Sequence, residues 1–137
     1  MPIPAGIDPD PVTKPSVIKT AALCVAGWFV GYLFSAVSSI LFFRLGRIDP
    51  EISASSSVVW VTAIYGVVVS ALAAIIGASF SRRNALGIGA AISLTTGAAG
   101  LWSWYVTPAH AHWTQLIAIF LMAPAAQFGA LFRRETD

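Results

Sequence analysis

Charged residues are scarce in this sequence. Asp, Glu, Lys and Arg make up only 10% of its 137 residues, whereas soluble domains average about 25%. Hydrophobic residues account for 57% of the chain, and the mean hydropathy is +0.78. So few charges cannot give this much apolar chain a water-facing surface. The composition therefore excludes an ordinary soluble domain and predicts a chain embedded in a lipid bilayer.

Cysteine is almost absent, because Cys24 is the single thiol. One thiol excludes an internal disulfide, and we expect it to act as a small packing residue inside an apolar helix. Basic and aromatic residues are not interleaved in any polar segment, so the net charge of +2 does not indicate nucleic-acid binding.

The apolar residues fall into four uncharged runs, and about 20 residues suffice to cross the hydrocarbon core. The pattern predicts an all-α fold, a four-helix transmembrane bundle in up-down-up-down order, as one domain over residues 20–134. The predicted spans are residues 20–43, 58–80, 85–106 and 113–132. A proline-rich, mobile tail would precede them over residues 1–19, and residues 135–137 would follow as a second tail.

The first run could also be read as a cleavable signal peptide with its cleavage site at Ala36-Val37-Ser38. The run continues as far as Phe43, which is further than a short signal core needs, and this favours a membrane span.

Basic residues predict the orientation of the bundle. Four spans place both termini on one side, and six of the eight basic residues fall on that side: Lys14, Lys19, Arg82, Arg83, Arg133 and Arg134. Arg44 and Arg47 fall on the other side, together with an interfacial belt of Trp60, Trp102, Trp104, Tyr105 and Trp113. The positive-inside rule then predicts that both termini are cytoplasmic and that the protein lies in the cytoplasmic (inner) membrane.

Small residues recur about every four positions in three of the runs. This spacing places them on one face of each helix, where they let another backbone approach closely. The residues that we expect to mediate helix packing, within the chain or between copies, are Gly27, Gly31, Ser35, Gly66, Ser70, Gly89, Ser93 and Gly97.

Three further residues predict local features. Gly46 is suited to ending the first helix. Tyr65 lies inside the second span, so its hydroxyl needs a partner, which could be a backbone carbonyl or Tyr32. Pro124 lies midway along the fourth span and predicts a kink, with Gln127 or a nearby Ser or Thr compensating the lost hydrogen bond.

Residues that could carry chemistry are few. Imidazoles and carboxylates ligate zinc and copper, and the turn before the fourth span contains His110 and His112, on the same face as Asp49 and Glu51. The alternative is two solvated loop histidines. The spans contain no charge of the kind that proton-coupled transport requires, and no cofactor is expected.

The layout resembles that of small uncharacterised bacterial four-span integral membrane proteins. The resemblance rests on the basic turn Arg82-Arg83-Asn84 followed by Ala85-Leu86-Gly87-Ile88-Gly89, and on a last span with Trp113, Pro124 and Gly129. It implies the same topology and transfers no activity or site residue.

Three hypotheses for function follow. The first is a non-enzymatic membrane protein that acts in the lipid bilayer by helix–helix association with itself or with other membrane proteins. The alternative is a small channel or carrier for a neutral or weakly polar solute, whose path could be lined by Ser70, Ser93, Thr95, Thr96, Gln115 and Gln127. A metal site at His110 and His112 is the third.

Overall fold

The fold consists of four long helices. The computed structural model describes residues 17–50, 52–108 and 111–134, and these residues form helices and no strand. The helices are α1 (Val17–Leu45), α2 (Ser56–Ala78), α3 (Ala85–Val106) and α4 (Trp113–Leu131). All four are long and apolar enough to cross a membrane, which confirms the all-α, four-helix prediction.

Most helix boundaries lie close to the predicted ones. α3 matches its prediction, and the two ends of α2 and the end of α4 differ by one or two residues. α1 begins at Val17, inside the segment assigned to the tail, and continues through Leu45. At about 1.5 Å per residue, its 29 residues are longer than the roughly 30 Å thickness of a hydrocarbon core. Lys19 and Arg44 lie near its two ends, outside the uncharged run. Most of the predicted tails, residues 1–16 and 135–137, lie outside the described residues.

α1 ends in a motif that the sequence did not predict. Gly46 follows the helix as expected, but the left-handed residue is Arg47, with φ of 52°. The amide of Ile48 donates to the carbonyl of Phe43 at 3.0 Å, and that of Arg47 donates to Arg44 at 3.3 Å. This is a Schellman cap with arginine in the position that glycine usually occupies.

α1 and α2 pack as an antiparallel pair. A Cβ added to Gly77 would lie 2.6 Å from the carbonyl oxygen of Gly27, so the two backbones are in direct contact. At the other end of the pair, the hydroxyl of Tyr65 donates to the carbonyl of Ser38 at 3.1 Å. This bond confirms that Tyr65 has a backbone carbonyl as its partner.

α4 packs against α2 and α3, and α1 packs against the same two helices. The resulting order around the bundle is α1, α2, α4, α3, with α1 and α4 diagonally opposed. Gly89 of α3 meets Ala130 of α4, and Gly100 of α3 meets Ile119, so α3 and α4 are antiparallel. Gly129 of α4 is in direct contact with the backbone of α2.

The two ends of the bundle differ in composition. The arginine end carries Arg82, Arg83, Arg133 and Arg134, all exposed, and the tryptophan end carries Trp60, Trp102, Trp104 and Trp113. The tight core lies in the half nearer the arginine end and consists of Ala74, Ile88, Ile92, Ala126 and Ala130. Cys24 and Trp28 pack against this core, in agreement with the packing role expected of Cys24.

α4 is irregular at its centre. It runs as an α-helix over Trp113–Ile117, as a π-helical turn over Ala118–Met122 and again as an α-helix over Ala123–Leu131. This π turn lies just before Pro124, where the sequence predicts a kink, and such turns are a common cause of kinks in helices. The hydroxyl of Ser70 on α2 donates to the carbonyl of Met122, the last residue of the turn, at 2.6 Å.

Candidate functional site: a cavity between the four helices

The half of the bundle nearer the tryptophan end contains a partly open cavity of about 250 Å³. Each of the four helices contributes lining residues, and none of these residues carries a charge. Its polar lining consists of Tyr32, Ser35, Ser39, Thr62, Tyr65, Thr96, Ser103, Thr114 and Gln115.

Two threonine hydroxyls in this cavity lack a partner. Thr62 is 6% exposed and Thr96 is 8% exposed, and neither Oγ1 atom has a hydrogen-bond partner among the described residues. A buried hydroxyl without a partner costs about 1–3 kcal/mol by mutational data. Buried polar groups in proteins are nearly always bonded, so each of these two hydroxyls retains an unused capacity for a hydrogen bond.

A chain of polar side chains borders the cavity near the tryptophan end. The hydroxyl of Thr114 donates to the amide oxygen of Gln115 at 3.0 Å, and the Gln115 amide nitrogen donates to the hydroxyl of Ser103 at 3.1 Å. Gln115 is 8% exposed, so its amide is fixed in the interior by partners on α3 and α4.

Aromatic rings form the wall between α1 and α2. Phe42 and Tyr65 stack with their centroids 4.2 Å apart and their planes at 18°. Because the Tyr65 hydroxyl is already bonded to Ser38, this ring offers the cavity a flat apolar surface. Tyr32 lies along the same wall.

The shape of the cavity depends on glycines and on the π turn. A Cβ at Gly66 would lie 3.1 Å from the Cγ of Met122, and one at Gly100 would lie 3.0 Å from the Cγ1 of Ile119. Both partners lie in the π turn over Ala118–Met122. Turns of this kind occur often at functional sites in helices, and here the turn forms one side of the cavity.

Most of the predicted packing residues lie between helices of the same chain. Gly27, Gly31, Ser35, Gly66, Ser70 and Gly89 are buried. A Cβ at Gly31 would lie 2.7 Å from the carbonyl oxygen of Ala73. Ser93 and Gly97 are only half-buried, and the nearest atom to a Cβ at Gly97 is 4.0 Å away.

Only part of the predicted solute path lines the cavity. Thr96 and Gln115 do, whereas Ser70, Ser93, Thr95 and Gln127 lie elsewhere. The structure adds Thr62, which the sequence analysis missed. A signal was present, because Thr62 precedes Gly66 by four residues and therefore continues the small-residue face of α2.

The predicted metal site falls partly outside the described residues, which omit His110 and Glu51. His112 is half-buried and stacks on Trp104 with centroids 4.2 Å apart and planes at 7°. Its Nδ1 atom is buried and has no partner in the described part of the chain. No three His, Cys, Asp or Glu side chains come together among residues 17–50, 52–108 and 111–134.

No protein-family model, curated protein or solved structure matches the chain. The cavity and its surroundings are therefore the features of the molecule that bear on its function.

Proposed function

We propose that this protein is a multi-pass protein of the cytoplasmic membrane that binds a small neutral solute in the cavity and carries it across the bilayer. Both termini would be cytoplasmic, because four of the six exposed arginines lie at one end of the bundle and only Arg44 and Arg47 lie at the other. The proposal rests mainly on Thr62 and Thr96, whose side chains line the cavity and whose buried hydroxyls lack partners in the described chain.

The lining favours a particular class of solute. Hydroxyl and amide groups donate and accept hydrogen bonds, and with no charge in the lining an ion would be poorly compensated inside the bilayer. Aromatic and aliphatic walls favour a small ring or short chain. A volume of about 250 Å³ limits the guest to roughly the space of eight water molecules. We therefore propose a compact neutral molecule with one or two hydroxyl, carbonyl or amide groups.

Association between copies, or with other membrane proteins, is the second proposal. The small-residue faces that motivated it are buried between helices of one chain at Gly27, Gly31, Gly66 and Gly89. Association through those faces would require the bundle to open, and for this reason we rank it below solute binding. Native mass spectrometry in detergent would test it, and a stable oligomer would favour it.

Flux and binding measured on the same preparation would test the carrier proposal. Purified protein in liposomes should accelerate entry of at least one member of a panel of small neutral alcohols, ketones and amides over protein-free liposomes. The variants Thr62→Val and Thr96→Val keep the side-chain shape and remove the hydroxyls. Each should weaken binding about fivefold, the value of one net hydrogen bond.

Thr107→Val is the matched control. It also replaces a hydroxyl by a methyl, but the Thr107 hydroxyl donates to the carbonyl of Ser103 at 2.6 Å and does not line the cavity. Solute affinity should be unchanged in this variant. Flux at the protein-free rate for the whole panel, or equal affinity in Thr62→Val and wild type, would refute the proposal.

A further inference from the structure

We propose that the solute path of the carrier follows the seam between α1 and α3, and that the hydrogen bond between Trp28 and Thr95 is its constriction. This inference rests on the proposed function, since the path would connect the cavity with the other face of the membrane. Trp28 on α1 would be the residue that opens and closes this route.

A second space lies on the same seam, nearer the arginine end. It is a groove of about 340 Å³ between α1 and α3. Its lining residues are Cys24, Val25, Trp28, Asn84, Gly87, Ile88 and Ala91. A Cβ placed at Gly87 would meet no atom within 4 Å, so this part of the groove is open. Asn84 is the last residue of the turn that carries Arg82 and Arg83, so the groove reaches the arginine end.

The cavity and the groove follow one another along the seam. On α1, Trp28 borders the groove and Tyr32, one helical turn further on, lines the cavity. On α3, Ala91 borders the groove and Thr96 lines the cavity. The indole Nε1 of Trp28 donates to the hydroxyl of Thr95 at 2.8 Å. This bond therefore crosses the seam at the boundary between the two spaces.

The bond is suited to reversible opening. The hydroxyl of Thr95 donates to the carbonyl of Ala91 at 2.7 Å, so it keeps one bond when Trp28 moves away. Trp28 packs against the core from its edge and, like Thr95, is only half-buried, so movement of the indole loses this edge contact and leaves the five core residues packed on one another. α1 also packs less extensively on α3 than on α2, which makes this seam the easier of the two to open.

Cys24 supplies a native probe for the route. It borders the groove on the side of Trp28 that faces the arginine end, and it is the only cysteine in the chain. A small neutral methanethiosulfonate reagent suits the uncharged lining of the cavity and reacts only with a thiolate in contact with water. Glutathione on the opposite side of the membrane destroys any reagent that crosses the lipid, so the labelling rate reports the side of addition. The thiolate attacks the sulfenyl sulfur, forms a mixed disulfide and releases the sulfinate.

The experiment compares labelling from each side in right-side-out and inside-out membrane vesicles. In the wild-type protein, Cys24 should react readily from the arginine end and slowly from the tryptophan end. Trp28→Ala removes the indole and should raise the rate from the tryptophan end at least tenfold. Thr95→Val removes the hydrogen-bond acceptor at nearly constant shape and should raise the labelling rate from the tryptophan end about fivefold. Thr95→Ser keeps the hydroxyl and should be labelled at the wild-type rate.

Two controls accompany these variants. Phe29→Ala removes the aromatic ring next in sequence, which is 57% exposed on the outside of the bundle, and should leave the labelling rate unchanged. Cys24→Ala should abolish labelling. If Trp28→Ala does not reach the membrane, the isosteric Thr95→Val decides the outcome.

Unchanged labelling from the tryptophan end in folded Trp28→Ala and Thr95→Val would overturn the inference. The carrier proposal fails separately, through loss of solute binding and flux. If the cavity binds solute but the variants leave Cys24 labelling unchanged, only the proposed path between α1 and α3 is refuted. If the variants raise Cys24 labelling but the protein binds no solute, the path is supported and the carrier proposal is refuted.

Discussion

Two glycine-to-alanine substitutions should shift the stability of the bundle in opposite directions. Gly129 in α4 is buried, and a Cβ there would lie 2.8 Å from the Cα of Ala71 and 2.9 Å from its carbonyl carbon. Ordinary carbon contacts are about 3.5–4.0 Å, so α2 and α4 would have to separate by roughly 0.7 Å. At Gly87 in α3 the same atom would meet nothing within 4 Å.

The magnitudes follow from two terms. Replacing glycine by alanine inside a helix favours folding by about 1 kcal/mol, and this gain applies at both positions. Overpacking costs about 1–3 kcal/mol. The upper part of that range applies at Gly129, because the atoms in contact belong to the Ala71 backbone and cannot rotate away. We expect Gly129→Ala to lower the free energy of unfolding by about 2 kcal/mol and Gly87→Ala to raise it by up to about 1 kcal/mol.

Unfolding by sodium dodecyl sulfate in mixed micelles, followed by far-ultraviolet circular dichroism, would measure both free energies. Gly97→Ala is a useful third variant, because the nearest atom to its new Cβ would be 4.0 Å away, and it should behave like Gly87→Ala. Equal effects of Gly129→Ala and Gly87→Ala would show that the α2–α4 backbone contact is not as close as described.

Three further substitutions probe single contacts by the same unfolding measurement. Arg47→Gly should raise the free energy of unfolding by about 1 kcal/mol, because glycine adopts the left-handed conformation without the side-chain penalty; an unchanged value would mean that the cap is not formed. Tyr65→Phe removes the bond to the Ser38 carbonyl while keeping the ring, and should lower stability by about 1 kcal/mol. Ser70→Ala should lower it by about 0.6–1.7 kcal/mol through the lost bond to Met122; a neutral result would indicate that the π turn is stable without this donor.

The sequence predicted the helices well, because lipid imposes a simple rule. A spanning segment must be apolar and must satisfy its own backbone, so uncharged runs mark the helices almost directly. α3 was predicted at Ala85–Val106 as observed, since its basic turn and its terminal aromatics define both limits. The length of α1 was underestimated, because hydropathy marks only the uncharged run, while the helix extends past Lys19 and Arg44 to Val17 and Leu45.

The cavity was harder to predict, because it depends on the order of helices around the bundle. The small-residue pattern identified faces that pack closely but did not indicate which helix each face meets. Thr96 and Gln115 were proposed as polar lining and do line the cavity. Ser70 has the same chemistry, yet it is used to support the π turn at Met122. The sequence alone does not distinguish a hydroxyl bonded within the protein from one that is available to a solute. This distinction requires the position of the neighbouring helix.

The diagonal placement of α1 and α4 has a consequence for how the protein is made. α1, α2 and α3 can already pack together before α4 is synthesised, since α1 contacts both α2 and α3. α4 docks onto α2 and α3 from the opposite side and brings Thr114, Gln115 and the π turn with it. A nascent chain halted after Val106 would therefore lack one wall of the cavity, which is completed only when α4 packs against α2 and α3.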